Sequence, residues 1–212
     1  MIKKIAAKKG EKMKVLLING SPHENGCTFT ALHRIAETLE LQDVSTEIFH
    51  IGKTPVGGCM DCGYCAEKKI CVIDDCVNRA LKKAEEADGF VFGTPVYFAS
   101  PNGSMVAFMD RFFKAGDFAH KPAAVAASAR RGGCTAALEV LIKYPTYNQM
   151  PLVSADYWPI IHGNTPEEVL RDEEGLHTME TLGLNMAWLL KCIENGEKPV
   201  KREKSIWTNF IR

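Results

Sequence analysis

The feature that most constrains this chain is an alternation, five times over, of short apolar runs with stretches of helical periodicity. Lys14-Val-Leu-Leu-Ile-Asn19 opens the series. A run that is apolar at every position leaves no face for water, as a strand buried on both sides of a parallel sheet requires. Thr28 to Leu41 follows, with Leu32, Ile35, Ala36 and Leu39 at helical spacing, and Thr46 to His50 reads as a second strand. Asp74 or Asp75 can cap a helix whose apolar stripe is Val77, Ala80, Leu81, Ala84 and Ala87. Gly89 to Gly93 is the third strand. Ser100-Pro101 then has the order of an N-cap and a first helical residue, ahead of Phe108, Phe112 and Phe113. Pro122 to Ser128 reads as the fourth strand and Cys134 to Lys143 as a helix; a fifth strand falls within Leu152 to Ile161. The last helix spans Glu174 to Glu194, ahead of Asn195-Gly196.

Parallel strands need crossover connections, so this order predicts an α/β domain with one five-stranded parallel sheet and helices on both faces. Residues 13–196 make that domain, without an internal repeat. Residues 1–12 are lysine-rich and read as a flexible extension. Residues 197–212 form a basic tail whose Ile206, Trp207, Phe210 and Ile211 predict docking on the body or on a second subunit. The 26 basic and 26 acidic side chains cancel, which argues against a general nucleic-acid binder and against a disordered chain. No apolar run approaches the roughly 20 residues of a membrane span and no signal-peptide pattern precedes the body, so a cytoplasmic, reducing location and no membrane partner are expected.

In such folds ligands bind beyond the carboxyl ends of the strands. The loop Gly20-Ser-Pro-His-Glu-Asn-Gly-Cys-Thr28 offers backbone N–H groups and hydroxyls at a helix N-terminus, a setting that suits phosphate. It lacks the lysine of a P-loop and the glycine spacing of a dinucleotide fold, and an ordinary strand-to-helix turn uses the same residue types. Beyond the third strand, Pro95, Val96, Tyr97 and Phe98 can wall a flat heterocycle, or serve as core or interface packing. Beyond the fourth, Ser128-Ala-Arg-Arg-Gly-Gly133 allows close backbone approach. Arg130-Arg131 is either a solvated pair or a counter-charge for an anionic ligand. His33, His50 and His162 are scattered, which disfavours a metal hydrolase, and Asp110-Arg111 is most simply a surface ion pair.

Eight cysteines in a chain with no secretory signal suggest a metal or redox site before they suggest disulfides. Cys59, Cys62, Cys65 and Cys71 follow C-x2-C-x2-C-x5-C within the glycine-containing segment 57–76. Bacterial ferredoxins use a shorter last gap, whose fourth cysteine serves another cluster. The longer gap could let all four bind one iron–sulfur cube. Structural zinc usually draws on two separated knuckles, and these overlap. Free thiols, an opportunistic disulfide and a dithiol use of Cys62 and Cys65 are the competing readings. Cys76, Cys134 and Cys192 sit among apolar residues and read as packing.

The phosphate loop, TPVYFASPNGSMVAFMDRF, SARRGG and DEEGLHTMETLGLNMAWLLK together resemble the flavodoxin-like NADPH-dependent FMN reductase family, in its iron–sulfur flavoprotein branch, over roughly Met13 to Gly196. The resemblance implies a three-layer flavodoxin-like sandwich with strand order 2-1-3-4-5. It implies FMN, with Ser21, His23, Gly26, Cys27 and Thr28 at the phosphate, and Pro95 to Phe98, Ser128, Arg130 and Gly132 around the isoalloxazine. His23 stands where the family often has Arg or Lys. It also implies a 4Fe-4S cluster on Cys59, Cys62, Cys65 and Cys71, NAD(P)H as a possible electron donor, a redox protein or small-molecule acceptor, and a homodimer or homotetramer. The helix carrying Phe108, Phe112 and Phe113 suggests an oligomer contact in the same way. The expected activity is flavin-based electron transfer, which needs no acid–base pair from the protein. A cluster-free NAD(P)H-dependent FMN or quinone reductase and a flavodoxin-like carrier without its own substrate are the alternatives.

Overall fold

The computed structural model describes residues 12–200 and 208. The expected N-terminal extension and the aromatic part of the tail lie almost entirely outside the described residues. The strands are β1 (Lys14–Asn19), β2 (Ser45–His50), β3 (Gly89–Tyr97), β4 (Ser100–Pro101), β5 (Ala123–Ala129) and β6 (Ile160–His162). The helices are α1 (Cys27–Leu41), α2 (Tyr64–Lys68), α3 (Cys76–Ala84), α4 (Gly103–Ala115), α5 (Cys134–Tyr147), α6 (Pro166–Val169) and α7 (Glu173–Asn195). The sheet runs β2-β1-β3-β5-β6, with β4 attached antiparallel to β3. Counting only the parallel strands, this is the expected order 2-1-3-4-5.

Each inner strand feeds both faces of the sheet. Leu16, Ile18, Phe90, Phe92 and Val125 pack against α3, α4 and α5, whereas Val15, Leu17, Val91, Ala124 and Ala126 pack against α1 and α7. The period-2 alternation of a strand therefore meets apolar surface on each side, which explains why β1 has no polar position between Lys14 and Asn19. On the α4 face, Phe90, Phe92, Phe112, Phe113 and Phe118 pack together, mostly edge-to-face or tilted, with ring centroids 4.6–6.0 Å apart. Phe108, Phe112 and Phe113 are thus core residues.

Three elements differ from the sequence expectation. Ser100-Pro101 does not open a helix. β3 runs on to Tyr97, turns through Phe98 and Ala99, and pairs back, with Val96 opposite Pro101 and Tyr97 opposite Ser100. The helix starts later, where Asn102 Oδ1 accepts from Met105 N at 3.1 Å. The fifth parallel strand shrinks to Ile160–His162, while Leu152 only bridges to Ala123. A short helix, α2, forms inside the cysteine segment, where no periodicity was legible.

The hairpin turn carries strain. A two-residue connection of this kind needs positive φ at both central positions, which favours Asn-Gly. Here Phe98 has φ 51° and Ala99 φ 56°, and Phe98 is wholly exposed. Ala99→Gly is expected to raise the stability of the protein by about 1 kcal/mol, because a left-handed Ala is strained by roughly that much. Urea denaturation of the variant checks this; an unchanged midpoint would show that the turn is relaxed.

Candidate functional site

Three loops meet at the carboxyl edge of the sheet. β1 ends first, at Asn19 opposite Gly93, and β3 and β5 run on beside each other with Pro95 opposite Ser128. Asn19, fully buried at the end of β1, builds the first loop: its Oδ1 accepts from Ser21 N at 3.0 Å and its Nδ2 donates to Glu24 O at 3.0 Å. Ser21 is itself buried, and its Oγ accepts from His23 N at 3.1 Å. His50, at the end of β2, donates from Nε2 to Ser21 O at 2.8 Å. Neither Asn19 nor His50 stood out in the sequence, because each acts on the loop through a contact that only the strand pairing creates.

Gly26 is the N-cap of α1 and no side chain caps that end, so the first-turn N–H groups of a 15-residue helix face the loop. Thr28, one residue into the helix, is buried and shares a 2.8 Å hydrogen bond with Ser128 Oγ. This contact ties the first loop to the loop after β5. Cys27 Sγ donates to Gly163 O at 3.5 Å, and burial pushes its thiol up from the ordinary range, so it serves as a neutral group. His23 is exposed at the loop tip.

The third loop closes on the hairpin. Gly133, at φ 98°, is the N-cap of α5 and lies so near the hairpin that an added Cβ would stand 2.9 Å from Ala99 Cα and 3.0 Å from Val96 Cγ1. Only glycine satisfies both the angle and the approach. Pro95 and Val96 are half-buried here, Tyr97 and Phe98 exposed, and Arg130, Arg131 and Gly132 exposed on the facing loop. The arrangement is an uncapped helix end beside a hairpin whose Tyr97 and Phe98 are exposed. A helix N-terminus without a side-chain cap, with the Ser21 and Thr28 hydroxyls beside it, is a donor set that suits the phosphate of FMN.

The cysteine segment follows β2, on the same edge of the sheet, and folds over α4. Cys59, Cys62, Cys65 and Cys71 line one small recess together with Gly58, Gly63, Val72, Ile73, Arg111 and Lys114. Left-handed turns at Asp61, Gly63 and Lys69 bend the backbone around it, and an added Cβ at Gly58 or Gly63 would meet nothing within 4 Å. All four are free cysteines. Among the described residues, no three His, Cys, Asp or Glu side chains gather closely enough to hold a single ion.

Arg111 corrects the sequence reading most sharply. It is 2% exposed, and it does not pair with Asp110. Adjacent residues on a helix point about 100° apart and do not face each other, so the two are poorly placed to pair. Its Nη1 and Nη2 fork onto Asp75 Oδ2 and Oδ1 at 2.6 and 2.9 Å. Nη1 also donates to Gly57 O at 3.2 Å, Nη2 to Ile73 O at 2.9 Å, and Nε to Cys71 Sγ at 3.1 Å. Asp110 instead accepts from Tyr144 OH at 2.6 Å. Asp75 is also the N-cap of α3, accepting from Val77 N at 2.9 Å. Burial works to raise its pKa, but the guanidinium and the capped N–H outweigh it and hold the carboxyl below its ordinary value.

The remaining cysteines divide. Cys76 and Cys134 are buried, and burial pushes their thiols up, that of Cys134 to about 11. Both are packing residues, as expected. Cys192 is exposed on α7, contrary to that expectation, because the helix turns it away from the sheet.

Residues 13–165 match the family model described as NADPH-dependent FMN reductase. The chain belongs to that family. An iron–sulfur flavoprotein of Methanocaldococcus jannaschii is 30% identical over 194 residues, covering 86% of this chain and all of the relative. An iron–sulfur flavoprotein of Archaeoglobus fulgidus is 31% identical over 174 residues, covering 79% of this chain and 86% of the relative. These place it in the iron–sulfur flavoprotein branch. Among solved structures, RosB with bound 8-demethyl-8-formylriboflavin-5'-phosphate superposes with a TM-score of 0.68 at 13% identity, covering 94% of each chain. A flavone reductase gives 0.68 at 16% identity, over 88% of this chain and 66% of the other. At those identities the likeness shows the flavodoxin-like fold. As an FMN reductase family member, the chain is an FMN-dependent, NAD(P)H-linked oxidoreductase. Among its described residues no helix is long and apolar enough to cross a membrane.

Proposed function

We propose that this FMN reductase family member couples FMN to a 4Fe-4S cluster held by Cys59, Cys62, Cys65 and Cys71. One observation carries the reading: the four thiols line a single recess, and a buried guanidinium donates a hydrogen bond to one of them. A neutral thiol is a weak acceptor, and such a donor has a strong partner only when Cys71 is a thiolate ligand. The relatives' name, iron–sulfur flavoprotein, supports the same reading.

When bound, FMN supplies the two-electron to one-electron conversion. The protein's part is to bind and orient. Ser21, Gly26, Cys27 and Thr28 would hold the phosphate at the α1 N-terminus, with exposed His23 at the rim. Pro95 to Phe98 would set the ring plane against Ser128, Arg130 and Gly132. Cys59, Cys62, Cys65 and Cys71 would fix the cluster along α4, the helix that leads away from the hairpin. A redox protein or a small molecule would then take or give electrons, with the working unit a homodimer or homotetramer.

Cys62→Ser, prepared without oxygen and supplied with iron, sulfide and FMN, is expected to lose the iron and sulfide of the wild-type protein and to keep stoichiometric FMN. Iron analysis with a visible spectrum checks this. Wild-type protein that takes up FMN but no iron would leave a cluster-free reductase in its place.

A further inference from the structure

We infer that Arg111 sets the reduction potential of the iron–sulfur centre through its hydrogen bond to the Cys71 sulfur. This rests on the cluster reading above and goes further, since it assigns a tuning role to a residue that binds neither iron nor flavin.

Arg111 uses its five N–H donors on five acceptors, and only one of them, Cys71 Sγ, has no need of a cation for the chain to fold. Gly57 O and Ile73 O are carbonyls that need a donor once covered, and Asp75 needs a counter-charge. An apolar side chain on α4, with an uncharged cap in place of Asp75, would avoid the large desolvation penalty of burying an ion pair and would leave only the two carbonyls to be satisfied. What the pair adds is an oriented field. Asp75 sits on the outer nitrogens, and Nε, the donor nearest the main chain, points at the sulfur.

The surrounding charges do not overwhelm it. Lys114, the other cation lining the recess, is paired with Asp61, and Arg79 stands near Asp75. The Arg111 side chain is 1% exposed and the Asp75 side chain 25%, so the positive end facing the sulfur is poorly screened by water, while the negative end is partly screened. Four thiolates make a cube net negative, and reduction adds one electron to it, with no bond formed or broken. Hydrogen bonds to cluster sulfurs and local charge are among the main determinants of such potentials. A donor locked by four other bonds stabilises the reduced state without reorganising.

The test is an anaerobic potentiometric titration, followed by electron paramagnetic resonance, of iron-loaded wild type, Arg111→Lys and Asp75→Asn, with dithionite as electron source. Lysine keeps the charge but cannot reproduce the fork and the Nε–H donor together. Arg111→Lys is expected to lower the midpoint, with the reduced fraction at fixed poise falling about tenfold, which is 59 mV for one electron. Asp75→Asn keeps the α3 cap, removes the opposing charge and is expected to raise the midpoint. Shifts of opposite sign are not what a merely structural role produces. Should Arg111→Lys fail to load, Asp75→Asn decides alone. Loaded variants with the wild-type midpoint, or with shifts of the same sign, overturn the tuning role and leave the cluster reading standing. A wild type that binds no iron overturns both.

Discussion

Arg111→Ala is expected to lower the stability of the FMN-free protein by about 3–5 kcal/mol, the usual loss when one partner of a buried ion pair is removed. The loss has identifiable parts. Asp75 keeps its charge with no guanidinium beside it, and the carbonyls of Gly57 and Ile73 lose their donors. A void also opens between α4 and the cysteine segment, so a ΔΔG in urea and failure to retain iron should appear together. Arg111→Met combined with Asp75→Asn is expected to recover at least about 1 kcal/mol of that loss, because the uncompensated charge is gone and the α3 cap is kept. A single variant as stable as wild type would mean that water or another cation reaches Asp75. Asp75 also makes the contribution depend on pH. Its folded pKa is lowered, so its stabilising effect is complete above the ordinary carboxylate range, about pH 4–5, and is lost as the pH falls through the folded value. The stability difference between wild type and Asp75→Asn should shrink in that direction.

Thr28→Val is expected to weaken FMN binding by about one to two orders of magnitude, or roughly 1.4–2.8 kcal/mol. The isosteric change removes one hydroxyl from the uncapped start of α1 and leaves Ser128 Oγ buried with no partner. Both proposed contacts of the cofactor suffer: the phosphate loses a donor, and the loop after β5 loses its tie to the first loop. Fluorescence titration of the apoprotein with FMN measures the effect, and riboflavin, which lacks the phosphate, separates its two parts. If affinity for riboflavin falls as much as that for FMN, the loss lies in the loop tie and not at the phosphate. An unchanged FMN affinity would remove Thr28 from the site.

Much of the fold was legible because its signals are local. Continuous apolar runs marked β1, β3 and β5, helical stripes marked α1, α3 and α7, and parallel strands left few topologies open. The same logic placed the loops at 20–28, 94–102 and 129–133 on one edge, and the cysteine spacing named four of the residues that line one recess. Local signals also misled. Serine and proline at 100–101 have the chemistry of a helix start, yet pairing with Val96 and Tyr97 outweighs that preference, and Asn102 takes over the cap.

By itself, the sequence determined the α/β class, the strand order through its family resemblance, the three candidate flavin loops and the four candidate ligands. These follow from the period of apolar residues and from short spacings, which the chain carries wherever its parts end up. The tertiary structure alone decided that Arg111 is buried, that Asp75 is its partner across 36 positions, that Cys71 receives its fifth bond, and that Asn19 and His50 hold the loop after β1. Such pairings depend on which surfaces meet when α3 and α4 pack on one face of the sheet. No local pattern encodes a partner so far away in sequence.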